Sequence, residues 1–218
     1  MEILHVLNRG VEKREVFLDD QDRLRFIQNL YIFNDVANAP HSELVRGYRE
    51  RSKHKRNPLV HIYAFCLMPN HYHLLLSPVN NDFENLSLFM KKINGGYAKY
   101  FNEKYKRSGY LWQGKYKKIV IERDGHFLYI PHYIHLNPLD LKYPQWRKGK
   151  VKDTKKALEY LQEYRWSSYL DYTGHKNFPS LLHISLLSNL LGSQRQNEQD
   201  IKSIIKNTEA AEKSWKLE

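Results

Sequence analysis

The chain has almost no cysteine: Cys66 is the only one in 218 residues. That excludes an internal disulfide and a multi-cysteine zinc centre. A lone cysteine inside "YAFCLM" reads as a small core residue. Long apolar runs are also missing. Nothing approaches the roughly 20 apolar residues of a membrane span, and "MEILHVLNRG" lacks the apolar stretch of a signal peptide. The expectation is a cytoplasmic protein with no membrane partner. Internal repeats and low-complexity tracts are absent. Acidic residues are in short supply, with 24 Asp plus Glu against 35 Lys plus Arg, a formal net charge of +11. Such an excess favours polyanionic partners, nucleic acid first and an anionic membrane surface second. Tyrosine is plentiful, at 16 residues, and aromatic rings among cations suit unstacked bases. The length supports one full domain, or a domain with an appendage.

Hydrophobic periodicity orders the elements. Residues 2–10 read as an opening strand ended by a glycine. Residues 19–35 space Leu24, Ile27, Leu30 and Tyr31 as a helix does, with acids in the first turn. The apolar run "LVHIYAFCLM" (59–68) predicts a central strand covered on both sides, and "PN" turns it into a tightly paired partner. Residues 82–105 predict a long amphipathic helix whose Gly95 and Gly96 mark a kink or a close backbone approach. Residues 115–122 predict a fourth strand. Strand, helix, strand, strand, helix, strand is the split βαβ, or ferredoxin-like, order. It predicts an α+β fold: an antiparallel sheet with helices on one face and the other face open. Residues 141–218 read as a partly helical C-terminal extension that packs or contacts nucleic acid, its last charged helix fraying.

In "MPNHYHLLL" (68–76), residues two apart share a face of the strand. His71 and His73 therefore project together from the open face, and Tyr72, Leu74 and Leu76 from the other. Paired imidazoles suit a shared metal ion. An isolated His-x-His is nevertheless more often a pair of partly exposed histidines at a strand end. After the fourth strand, "DGHFLYIPHYIHLNP" (124–138) predicts a helix carrying Tyr129, Tyr133 and Asn137 at i, i+4 and i+8 on one face. Pro131 fits a first turn or a kink, and Asn137 before Pro138 fits a helix end. Taken alone, this pattern reads first as a helix packing its tyrosines on the sheet.

Together the motifs say more. "MPNHYHLLL", "GYLWQGKYKK" and "YIHLNP", with the opening "LNRGVEKREVF" and the later "YRWSSY", resemble the single-tyrosine HUH transposases. Within that family they look like the branch of REP-associated tyrosine transposases, relatives of the small insertion-sequence (IS200-like) transposases. The resemblance spans residues 2–172 and makes residues 1–140 the catalytic domain. It implies Tyr133 as the nucleophile on a helix following the sheet. His71, His73 and Asn137 become ligands of a divalent metal ion, Mg²⁺ or Mn²⁺. The implied substrate is single-stranded DNA beside a hairpin or palindrome, of the REP hairpin type, cut through a 5′-phosphotyrosine. Relatives act as a monomer or a homodimer. Tyr72 departs from the aliphatic residue usual at that position, but it faces away from the site.

Several roles stay open at this stage. His126, His132 or Lys115 could help form the tyrosine phenolate. Arg49, Arg51, Lys53, Lys55 and Arg56 of the basic segment 46–58, with Lys115, Lys117 and Lys118, are candidate phosphate contacts. Trp112 and Tyr116 are candidate base-stacking rings. Each could equally be a solvated or packed side chain. The competing readings are a hairpin-binding module that no longer cuts, an RNA-binding domain and a hydrolytic metalloenzyme. The RNA-binding reading lacks its aromatic motif, and two histidines with one amide make a thin zinc set.

Overall fold

Four strands form one antiparallel sheet in the order β2-β3-β1-β4. They are β1 (Ile3–Arg9), β2 (Val60–Met68), β3 (His71–Pro78) and β4 (Lys117–Ile121). The computed structural model describes residues 1–37, 56–121 and 125–206, with side chains from Tyr129 onward in the last segment. This is the ferredoxin-like order expected, with β1 and β3 central. The apolar alternation of β1 and β3 sends Leu4, Val6, Tyr72, Leu74 and Leu76 into one core. There they meet α1 (Asp20–Ile32) and α2 (Phe83–Lys104) through Phe26, Ile27, Leu30, Phe89 and Ile93. Asp19 and Asp22 close a capping box at the start of α1, which fixes where the helix begins. The buried stripe of α1 runs through Phe26, Ile27 and Leu30, and Leu24 is exposed. Of the two glycines in α2, Gly96 marks a close approach: a Cβ there would lie 2.5 Å from the Phe33 ring. Gly95 faces open space.

Two expectations need correction. The second face of the sheet is not open. A second core there joins Tyr63, Cys66 and Leu75 of the sheet to Ile130, Tyr133 and Ile134 of α3 (Gly125–Leu136). Trp146, Leu158, Leu187 and Ile201 extend that core into the C-terminal part, through α4 (Thr154–Glu163), α5 (Ile184–Leu191) and α6 (Gln194–Lys206). The C-terminal extension therefore packs on the sheet. Likewise β2 is an edge strand, although its sequence reads as a central one. Its apolar character has a physical reason, because the C-terminal segment covers its free edge. Leu67 N–H donates to the Trp166 carbonyl at 2.9 Å, and Ser168 N–H donates to the Phe65 carbonyl at 2.9 Å. No described helix is long and apolar enough to cross a membrane.

Candidate active site

The register of the sheet builds the site. Across β1 and β3, Leu7 lies opposite His73 and Arg9 opposite His71. On the other side of β3, Cys66 pairs with His73 and Met68 with His71. Both histidines therefore share the second face, as the two-residue spacing requires. They are buried, His73 fully and His71 with 8% exposure. This departs from the expected open placement, because α3 and the C-terminal part lie over them.

Each histidine is oriented through its Nδ1. His71 Nδ1 lies 2.5 Å from Asn70 Oδ1, and His73 Nδ1 lies 2.8 Å from His5 Nε2. The His5 and His73 rings are tilted by only 13° with centroids 5.1 Å apart. With the short N···N link, that geometry joins them edge to edge in one plane. The Nε2 atoms of His71 and His73 are both buried without a hydrogen-bond partner among the described residues. The amide oxygen on His71 Nδ1 leaves its Nε2 as a lone-pair donor, which is how proteins aim a metal-ligating imidazole, and His73 takes the same form in the tautomer whose Nδ1 donates to His5 Nε2. Burial holds the His5 and His71 pKa values down to about 3, with the Arg9 and Arg147 charges also acting on His71. The His73 pKa is pushed well below its usual value, by burial and then by neighbouring positive charge. All three are neutral at physiological pH, the form that binds a metal. The pair His71 and His73 thus fits a divalent cation. Among the described residues, no three His, Cys, Asp or Glu side chains converge on one point.

Tyr133 arrives from α3. Its ring meets His73 at 5.7 Å and His5 at 5.9 Å between centroids, both edge to face, and it is fully buried. Tyr129 sits one turn earlier, 6.4 Å from Tyr133 by centroids. Asn137 follows α3 as the first residue of a 3-10 turn (Asn137–Leu141) and is also buried. Its amide is engaged at both ends. Nδ2 donates to the Tyr133 carbonyl at 2.9 Å, and Oδ1 accepts from Arg147 Nη2 at 3.2 Å. The Arg147 guanidinium lies 5.4 Å from the Tyr133 ring centroid and is anchored by Asp140, with Nη2 2.6 Å from Oδ2.

The other sequence candidates scatter. Arg49, Arg51, Lys53 and Lys55 lie outside the described residues, as does the His126 side chain. Arg56 is tied into the fold: it donates to the carbonyls of Tyr31 and Asn34 and sits over the Tyr31 ring. Trp112 is packed against Tyr72 and Tyr97, its indole N–H donating to the Asn94 carbonyl at 3.0 Å. Tyr116 is half-buried against the α1 and α2 side. Lys117, opposite Leu7, shares the histidine face; Lys118, opposite Val6, lies on the other and covers the Phe83 ring. Lys115 is exposed beside Lys117. His132 faces Asp200 at 3.9 Å.

Sequence reasoning missed His5, Asn70 and Arg147. His5 is one polar residue in an apolar strand, and only the register of β1 on β3 connects it to His73. Asn70 stood inside the quoted motif as a turn residue. Arg147 lies only ten residues beyond Asn137, but it stands in a polar stretch that carried no signal of its own.

Against known families, residues 32–137 match the model described as "Transposase IS200 like", a span that includes His71, His73, Tyr133 and Asn137. No curated protein matches the chain. A solved structure described as "Structure of the REP associates tyrosine transposase bound to a REP hairpin" is similar at 13% identity, with 82% of each chain covered and a TM-score of 0.46.

Proposed function

We propose that this chain, which carries an IS200-like transposase domain over residues 32–137, cuts and rejoins single-stranded DNA beside a hairpin. Tyr133 is the nucleophile, and His71 and His73 hold Mg²⁺ or Mn²⁺. The observation that carries the reading is a junction of three rings. Tyr133 meets His73 and His5 edge to face, while His71 and His73 each keep a buried, unpartnered Nε2 among the described residues.

A phosphodiester resists attack because it is anionic; a bound cation would neutralise its non-bridging oxygens. The chain's own groups do the rest. Tyr133 Oη attacks phosphorus, the bond from phosphorus to the 3′ oxygen breaks, and that oxygen leaves as a 3′-hydroxyl after taking a proton. The product is a 5′-phosphotyrosine, which keeps the phosphoester bond and lets the reverse attack rejoin strands without ATP. Free tyrosine titrates near pH 10, so the phenolate needs help. Arg147, tied to Asp140, is a cation beside the Tyr133 ring, 5.4 Å from its centroid. His5 and Asn70 act one step back, holding the rings of His73 and His71. Asn137 would be the third residue to hold the cation, through an Oδ1 that accepts from Arg147 Nη2 at 3.2 Å.

The full burial of Tyr133 favours a second reading. Its Oη cannot reach a phosphorus until its surroundings open, and a chain that binds hairpin DNA or RNA without cutting needs no such opening. The test is incubation with Mn²⁺ or Mg²⁺ and single-stranded oligonucleotides carrying palindromes that flank the gene. An adduct stable to SDS, formed with single strands and not with duplex, is expected. Tight binding with no adduct under either cation favours the second reading.

A further inference from the structure

A cleft of about 310 Å³ opens between the end of β1 and the approach to β4, one strand over from the histidine pair, neither of which lines it. It is lined by Leu7, Arg9, Lys13, Gln113, Lys115 and Lys117, and no carboxylate is among its lining residues. The sheet register ties this cleft to the site. Arg9 lies directly opposite His71, and Lys117 lies opposite Leu7, which in turn lies opposite His73. Arg9, Lys117 and the two histidines therefore stand on one face, in adjacent rows.

Arg9 is not an ordinary solvated cation, and Lys13, though exposed, stands on an unusual backbone. Arg9 Nε is buried with no hydrogen-bond partner among the described residues. A buried guanidinium N–H without an acceptor is costly unless a ligand supplies one. Lys13 sits in a strained turn. Both Glu12 and Lys13 have left-handed backbones, φ 56° and 59°, which non-glycine residues seldom adopt. Strain of that kind persists only where surrounding contacts hold it, and it gathers at ligand-binding sites. One of those contacts is informative. Asn70 Nδ2 donates to the Lys13 carbonyl at 3.1 Å, while Asn70 Oδ1 faces His71 Nδ1. One side chain thus holds both the lysine turn and the imidazole of the candidate metal pair.

We propose that this cleft binds the phosphate backbone of the DNA strand running into the site, with Arg9 as the innermost phosphate contact and Lys13, Lys115 and Lys117 along its rim. The proposal rests on the reading of the site as acting on single-stranded DNA. It adds Arg9 and Lys13, and it gives the strand a path: from the histidine pair across the end of β1 towards β4. The guanidinium offers the missing acceptor's place to a phosphate oxygen through a charge-assisted bond.

The test is fluorescence anisotropy on the full-length protein with a hairpin carrying a single-stranded tail, and with the hairpin alone, over a range of salt. The triple variant Lys13→Gln, Lys115→Gln, Lys117→Gln changes exposed side chains and leaves the cores untouched. It should lose most of the affinity added by the tail, and the slope of log K against log salt should fall by roughly 0.7 per lost contact, about 2 in all. Arg9→Gln, its fold checked by circular dichroism, should lower tail affinity with a slope change of one contact. Lys99→Gln, on exposed helix α2 against the opposite face, should change neither quantity. If wild type binds the tailed strand and the triple variant matches it in affinity and slope, the cleft proposal is overturned and the transesterase reading stands. If wild type neither binds nor cuts any tailed strand, both are overturned together.

Discussion

The His73 imidazole meets the Tyr133 phenol edge to face, with ring centroids 5.7 Å apart. These residues are sixty positions apart in the chain, and they meet because a helix leaving β4 crosses the second face of the sheet over β3. The first prediction follows from that contact. Tyr133→Phe keeps the ring and its packing and removes the oxygen proposed as the nucleophile, so it should retain DNA binding and lose the SDS-stable adduct entirely. Tyr129→Phe is the control, one helical turn away on the same face. An adduct that survives in Tyr133→Phe and vanishes in Tyr129→Phe would shift the nucleophile by one turn.

The histidines make a second prediction. His71→Ala or His73→Ala should abolish cation-dependent cleavage. His5 touches the proposed metal pair only through His73, so its loss should be milder. A metal ligand deprived of its hydrogen-bonding partner typically loses about 10- to 100-fold in metal affinity. His5→Phe should therefore weaken Mn²⁺ binding by a factor in that range, read by isothermal titration, with cleavage restored at high Mn²⁺. Unchanged Mn²⁺ affinity in His5→Phe would make its contact with His73 mere packing. Full cleavage by wild type in excess EDTA would remove the metal from the mechanism.

A third prediction concerns acid. His5, His71 and His135 are held at about 3, His132 at about 4, and His73 well below its usual value, in each case chiefly by burial. The unfolded chain protonates these imidazoles near pH 6.5. Folded pKa values lie below the unfolded one, so the unfolded state takes up protons first as pH falls. Stability is complete above about pH 6.5 and is lost below it, by up to about 1.4 kcal/mol per pH unit for each histidine. Thermal melts in EDTA should therefore drop steeply between pH 6.5 and about 4, before the carboxylates titrate. Added Mn²⁺ should raise the melting temperature at pH 6, because it holds two imidazoles neutral. A melting temperature flat across that window would mean the histidines are hydrated.

How much of this was legible in the sequence differs from element to element. The strand order was readable because each strand carries its own alternation or apolar run, and the face of His71 and His73 followed from their spacing alone. The placement of β2 was not readable. An apolar edge strand covered by a distant segment has the composition of a central strand, and the cover, Trp166 to Ser168, lies a hundred residues downstream. Burial of the site was missed for the same reason. Residues 141–206 carry few long apolar runs, yet Trp146, Leu161 and Ile201 are fully buried in the core around Tyr133. His5 and Arg9 could not be assigned because a polar residue in a strand gains meaning only from its cross-strand partner. The cations were legible as a class but not by face: Lys117 and Lys118 are neighbours in sequence and lie on opposite sides of the sheet.

The last prediction concerns the competition for Asn137. Its Oδ1 accepts from Arg147 at 3.2 Å, and Arg147 is itself fixed by Asp140. If Asn137 is the third ligand, Arg147 and the cation draw on the same oxygen. Arg147→Met keeps the aliphatic stem and frees that oxygen. It also leaves the Asp140 carboxylate with the Trp146 N–H as a partner at 2.7 Å, so the fold should weaken by roughly 1–3 kcal/mol without collapsing. Mn²⁺ should bind Arg147→Met more tightly than wild type. Removing a positive charge would help any cation, so the single variant proves nothing about Asn137. The double-mutant cycle separates the two effects. If the oxygen is the ligand, most of the gain disappears in Arg147→Met combined with Asn137→Ala, and Asn137→Ala alone weakens Mn²⁺ only slightly. If the gain persists in full in the double variant, it is charge alone, and His71 and His73 are then the cation's only side-chain ligands from this set.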